Sequence, residues 1–158
     1  MASNERIVST VPELVAAISD VRTNAEVTVV TLSAGTYELG AMTPMSDAAL
    51  LDISSTVGYR AVTLRGDPSV SRDKVVLDGG GVKRIMNIAW GNSEVNVITI
   101  TNLTFRNGYG NTGNGGAIGN SRWGTLAVRD CAFYENVAQQ GGGAIGGTMT
   151  ERIYGCHF

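Results

Sequence analysis

Two motifs in this chain return at a common spacing, and that repeat limits the fold more than any other feature. Asn102-Leu103-Thr104-Phe105-Arg106-Asn107-Gly108 is echoed by Asp130-Cys131-Ala132-Phe133-Tyr134-Glu135-Asn136, and both by Gly155-Cys156-His157-Phe158. The phenylalanines stand 28 and 25 residues apart. Between them Gly115-Gly116-Ala117-Ile118 returns as Gly142-Gly143-Ala144-Ile145, 27 residues later. Two independent landmarks with one period mark a repeat architecture. A short strand, a corner and two further short segments close one coil in about 25 residues. Stacked coils then pair each strand with its copy, in parallel, at about 4.8 Å.

Side-chain alternation assigns faces within the repeat. Ile100, Leu103 and Phe105 point inward, as do Val128, Cys131 and Phe133, then Ile153, Cys156 and Phe158. Thr104, Ala132 and His157 point outward. The corner holds Asn102, Asp130 and Gly155, three residue types that tolerate left-handed backbone angles. Cys131 and Cys156 align with buried Leu103, so they are expected inside, in adjacent coils and reduced. The glycine pairs before Ala117 and Ala144 serve a second corner, where no Cβ fits.

The rest of the chain fits the same plan. Short β-rich runs lie at Val27–Leu32, Ala61–Leu64, Lys74–Leu77, Arg84–Ile88, Val97–Ile100, Thr125–Val128 and Arg152–Tyr154. Turn signals separate them at Ser33-Ala34-Gly35, Arg65-Gly66-Asp67-Pro68, Asp78-Gly79-Gly80-Gly81 and Gly91-Asn92. Glycine makes up 21 of 158 residues with only 3 prolines, which suits many tight corners. One helix precedes the strands. Thr10-Val11-Pro12-Glu13 reads as a capping box, and Val11, Leu14, Ala17, Ile18 and Val21 share a face. The expected fold is all-β: a parallel β-helix of about five coils of 25–28 residues. It forms a single domain over residues 1–158, with a cap helix in 9–24 and coils over 25–158.

Composition excludes several functions. Lys+Arg total 12 against Asp+Glu 14, a balance that argues against nucleic-acid binding and polybasic membrane binding. No apolar run is long enough for a transmembrane helix, and Met1-Ala2-Ser3-Asn4-Glu5-Arg6 does not read as a signal peptide. The single histidine, His157, and two cysteines offer no metal cluster and leave a histidine triad only a terminal residue.

The Gly-Gly-Ala-Ile units and Phe133-Tyr134-Glu135-Asn136 resemble the Gly-Gly-Ala-Ile and Phe-x-x-Asn repeats of polymorphic outer-membrane proteins and related bacterial surface proteins. Phe105-Arg106-Asn107-Gly108 departs from the second motif, with glycine in the asparagine position. The resemblance covers most of residues 9–158 and implies the right-handed, pectin-lyase-like form of the β-helix. It also implies a cell-surface or extracellular location. That fold hosts lyases, hydrolases, adhesins and tailspikes, so fold alone does not name an activity.

Candidate chemistry is sparse. Lyases of this fold use an arginine or lysine base with acidic calcium ligands. The set Arg65, Asp67, Lys74 and Asp78, within a wider group of Arg60, Arg72, Asp73, Lys83 and Arg84, imitates that pattern. The plainer reading makes these solvated loop charges. Calcium enters only under the lyase alternative, and no other cofactor is implied. Arg106, Arg129 and Tyr134 are candidates for contact with a carbohydrate or protein ligand along one outer flank. Asn102-Leu103-Thr104 is a formal glycosylation sequon whose asparagine is better used at a corner.

The first functional reading is a non-enzymatic surface or adhesin-type module, a rigid scaffold for display or contact. The alternatives are a polysaccharide lyase-like enzyme and a self-assembling fibre or appendage subunit. No helix, proline or charged strand is read before Phe158 to cap the stack. An open end of that kind invites self-association or further coils.

Overall fold

The computed structural model describes residues 4–55, 61–90, 96–111, 113–121 and 124–158. Among the described residues the chain is mostly β with one α-helix, and all the strand pairings are parallel. The helix α1 (Val11–Thr23) begins at Thr10, whose hydroxyl accepts from the Glu13 N–H at 3.3 Å and donates to the Glu13 carboxylate at 2.9 Å. Pro12 sits in the first turn, where its missing N–H has no partner to lose. Leu14, Ala17, Ile18 and Val21 are buried, and this face packs on β4 (Leu51–Ser55) and on β1 (Glu5–Val8) and β2 (Val29–Leu32).

A six-stranded sheet runs β1, β2, β5 (Ala61–Gly66), β8 (Val97–Thr101), β12 (Thr125–Arg129), β16 (Thr150–Tyr154). A second holds β3 (Gly35–Glu38), β6 (Val75–Asp78), β9 (Thr104–Arg106) and β13 (Ala132–Tyr134). A third holds β4, β7 (Met86–Trp90), β11 (Ile118–Ser121) and β15 (Ile145–Gly147). A two-stranded ribbon joins β10 (Tyr109–Gly110) to β14 (Val137–Ala138). From β2 onward the chain visits the first, second and third sheets in the same order each time.

Register lines like residues into rows. Leu64, Ile100, Val128 and Ile153 form one, and Tyr37, Leu77, Phe105 and Phe133 another. A third row is Leu51, Met86, Ile118 and Ile145. The earlier members of each row are buried in one apolar cluster, each contributing about 1.5–3 kcal/mol. The aromatic row continues as a stack: Phe105 to Phe133 at 5.2 Å and Phe133 to Phe158 at 5.0 Å. Asn102, Asp130 and Gly155 do occupy left-handed corners, at φ 55°, 51° and 60°. Asn102 Nδ2 donates to the Asp67 and Val70 carbonyls, tying the loop after β5 to this corner. At the second glycine corner, a Cβ on Gly116 would collide with the Val137 and Gly143 carbonyls.

The structure corrects three expectations. Thr104 and Ala132 are buried, and the Thr104 hydroxyl donates at 2.9 Å to the Arg72 carbonyl of a 3-10 turn (Arg72–Lys74) that covers β9. Ile153 and Phe158 keep their inward rows but are 40% and 63% exposed, because the edge strand β16 has no neighbour beyond it among the described residues. The edge strand also carries charge. Glu151 continues the inward row Val62, Ile98, Leu126, and Asn120 Nδ2 donates to its carboxylate at 2.7 Å. Arg84 is no solvated loop charge; it is 6% exposed. The turn at Gly91-Asn92 lies outside the described residues. Among the described residues no helix is long and apolar enough to cross a membrane.

Candidate functional site

The four lyase-type candidates do not converge. Arg65 is the penultimate residue of β5 on the outer face of the first sheet, where Nη2 meets the Glu5 carboxylate at 3.1 Å and Nε donates to Thr31 Oγ1 at 2.9 Å. Hydrogen bonds from the Thr31 hydroxyl and then Arg65 hold Glu5 below the usual carboxylate range. Asp67 accepts from both the hydroxyl and the N–H of Ser69, which lower its carboxyl in turn. Lys74 and Asp78 flank opposite ends of β6. Lys74 is exposed and pairs with Asp73 at 3.4 Å.

Asp78 belongs to another cluster. Burial pushes its carboxyl up, but hydrogen bonds from Asn107 Nδ2, the Gly80 N–H and Arg106 Nε outweigh burial and leave it lowered. Arg106 meets it at 2.7 Å. Arg106 and Tyr134 are register neighbours on the second sheet. Arg129 lies instead on the first sheet, its guanidinium 5.5 Å from the Tyr154 ring centroid. The three contact candidates therefore fall on two faces. Arg60 lies outside the described residues.

Several groups have structural duties. Arg84 Nε donates to the Gly115 carbonyl and Nη2 to the Asn114 carbonyl, both at 2.7 Å. Burial lowers its pKa. A Cβ on Gly119 would sit 2.6 Å from Arg84 Nε, so the glycine leaves space for the guanidinium. Cys131 and Cys156 are free thiols, and burial pushes the Cys131 thiol up to about 12, far from a working nucleophile at neutral pH. The sequon is engaged on both sides, Asn102 at its corner and Thr104 against Arg72. Among the described residues no group of three His, Cys, Asp or Glu is placed to hold a metal ion.

A concave site lies beyond the ends of β6, β9 and β13. A cleft of about 370 Å³ opens between the Gly80-Gly81 turn, segment 107–109, and Glu135 with Val137. Tyr109 and Val137 are register neighbours across the β10–β14 ribbon. Gln139 Nε2 donates to the Tyr109 hydroxyl oxygen at 3.1 Å. Glu135 is exposed, and its carboxylate has no partner among the described residues. It holds φ 54°, beside Asn107 at 55° and Gly80 at 63°. Left-handed angles cost such a side chain roughly 1–2 kcal/mol. Asn136 fixes this corner, donating to the Phe105 carbonyl at 3.0 Å and accepting from the Gly108 N–H at 2.9 Å.

Sequence reasoning singled out Arg106 and Tyr134 beside this cleft but not Tyr109, Glu135 or Val137 within it. The available signal was the alignment of Glu135 with Asn107 in the repeat, which puts a glutamate on a corner suited to asparagine or glycine. No family model matches the chain, and neither a curated protein nor a solved structure matches it.

Proposed function

We propose that this chain is a right-handed parallel β-helix of the pectin-lyase-like type, acting as a non-enzymatic contact module at a cell surface or in the extracellular space. The observation that carries the reading is the constant order in which the chain visits its three parallel sheets, with like residues in register across them. Backbone hydrogen bonds and apolar rows hold such a stack rigid, and its outer faces are free to vary. The resemblance to polymorphic outer-membrane protein repeats points the same way. The dispersal of Arg65, Asp67, Lys74 and Asp78 among separate partners favours contact over lyase chemistry. This reading requires no cofactor.

A second reading, end-to-end self-association, draws on one observation. Ile153, Tyr154 and Phe158 are exposed on and beside the edge strand β16. A glycan and protein array run beside a lyase assay separates the readings. Binding without unsaturated product supports the contact module. Product formation, with or without calcium, abolished by changing Arg65 or Lys74 replaces it with the lyase. Light scattering that grows with concentration, without ligand, favours assembly.

A further inference from the structure

We infer that the cleft beside Glu135 is a saccharide-binding site selective for neutral or amino sugars. This rests on the contact-module reading and deepens it by naming the site and the ligand class. Three features carry it.

The first is geometry. The cleft is concave, about 370 Å³ in volume, and floored by the Gly80-Gly81 turn. Beyond the adjoining residues of the chain, no described atom lies within 4 Å of the place a Gly81 Cβ would take, so a sugar ring can approach that backbone. Val137, 54% exposed, sits beside Tyr109 and offers an apolar flank for the C–H face of a pyranose.

The second is the hydrogen-bonding inventory. The Tyr109 oxygen accepts from Gln139, and its O–H remains available as a donor. The Glu135 carboxylate is an acceptor with no partner among the described residues. The cleft therefore asks for a ligand that both accepts and donates. Sugar hydroxyls do both. A lysine or arginine side chain donates only and would leave the Tyr109 hydroxyl unanswered.

The third is charge. Among the described residues lining the cleft the charged one is Glu135, and the nearby Asp78 is paired with Arg106. A polyuronate or sulfated glycan would meet an uncompensated carboxylate; a neutral or amino sugar would not. Glu135 is also held at a left-handed corner that Asn107 occupies in the preceding coil, a position a glutamate fits less comfortably than an asparagine or glycine.

The test is a glycan panel of neutral, amino, uronic and sulfated oligosaccharides with lysine- and arginine-rich peptides as a further arm. It is read by titration calorimetry on the full chain. Neutral or amino oligosaccharides should bind, and Glu135→Gln and Tyr109→Phe should each weaken them about tenfold. Glu135→Gly should raise the melting temperature and still lose binding, a pairing that a merely structural glutamate would not give. Retention of acidic glycans alone, dependence on Arg129 instead of Glu135, or binding of cationic peptides alone would overturn the cleft assignment and leave the contact module standing. Unsaturated product from any polymer would overturn the contact reading itself.

Discussion

The aromatic stack gives the sharpest test of the packing. Phe105, Phe133 and Phe158 lie face to face, with ring planes within 8° of parallel, but they are buried to different depths. Phe105 is 0% exposed, Phe133 3% and Phe158 63%. Truncating a buried phenylalanine to alanine costs about 3–5 kcal/mol, and the cost rises where the site cannot collapse. Phe105 is held between Leu77 and Phe133, so Phe105→Ala should fall at the top of that range. Phe133 has an open-sided neighbour in Phe158, and Phe133→Ala should cost about 3 kcal/mol. Phe158 keeps only about a third of its surface covered, so Phe158→Ala should cost about 1.5–2 kcal/mol at 25 cal/mol per Å². Phe133→Leu retains most of the apolar burial and loses two ring pairs, about 1–3 kcal/mol. Urea denaturation followed by circular dichroism measures the series, with a constant m-value as the check that the unfolded state is shared. If Phe158→Ala costs as much as Phe105→Ala, or Phe133→Ala less than about 1 kcal/mol, the inward register of the second sheet is wrong.

Three further outcomes follow from particular contacts. Arg84→Met should destabilise by at least about 3 kcal/mol, since it strands carbonyls that a charged donor now satisfies, and Gly119→Ala should act in the same direction by displacing the guanidinium; equal stability of either variant in urea melts would refute the clamp. Because burial raises the Cys131 thiol from about 8.5 unfolded to about 12 folded, its contribution is complete below the unfolded value and is lost as pH rises between them, by up to about 1.4 kcal/mol per unit. Cys131→Ala should flatten that alkaline slope, and an unchanged slope would show the thiol is not sheltered. Glu151→Leu should increase concentration-dependent light scattering by making the exposed end of an inward row apolar, whereas scattering no greater than wild type would mean that end is not a contact surface.

The parts of the fold that were legible in the sequence are those where one residue type meets a single physical demand. Phenylalanine, cysteine and isoleucine recur on the inner rows because each row must be apolar along its length. Asn102, Asp130 and Gly155 recur because one corner needs a positive φ. The elements that escaped notice are stabilised by their neighbours more than by their own composition. β3 reads Gly-Thr-Tyr-Glu and β11 reads Ile-Gly-Asn-Ser, neither a strong strand by propensity. Each is held by an in-register partner, β6 for the former and β7 and β15 for the latter. β1 is masked by its charged pair Glu5-Arg6, a composition that suits an edge strand. Arg84 reads as a surface charge because it stands beside Lys83 just after a glycine turn, and only the positions of the Asn114 and Gly115 carbonyls reveal the pocket that takes it. The cleft was illegible for a related reason. Tyr109, Glu135 and Gly80 are 26 to 55 residues apart and acquire a common purpose only when three successive corners stack.

The same stacking logic weighs the contact reading against end-to-end assembly. Parallel sheets that grow by adding a further copy keep their inner rows apolar to the edge strand, so that the copy buries hydrocarbon on hydrocarbon. Here the row Val62, Ile98, Leu126 reaches Glu151 at the edge strand. The neighbouring inward row Ile53, Ile88 reaches Asn120, which binds Glu151 through Nδ2 and accepts from the Met149 N–H at 2.8 Å through Oδ1. Covering this end with a second copy would take an ionised carboxylate out of water, at several kcal/mol unless a new donor met it. The apolar gain from Ile153 and Phe158 would have to exceed that penalty. An inward charge on an edge strand is a device that discourages sheet-to-sheet pairing. Glu151 thus sets a desolvation cost against covering Ile153 and Phe158 on this edge strand. The cleft beside Glu135 places its unpaired carboxylate toward solvent, where a ligand can meet it without burying a bare charge.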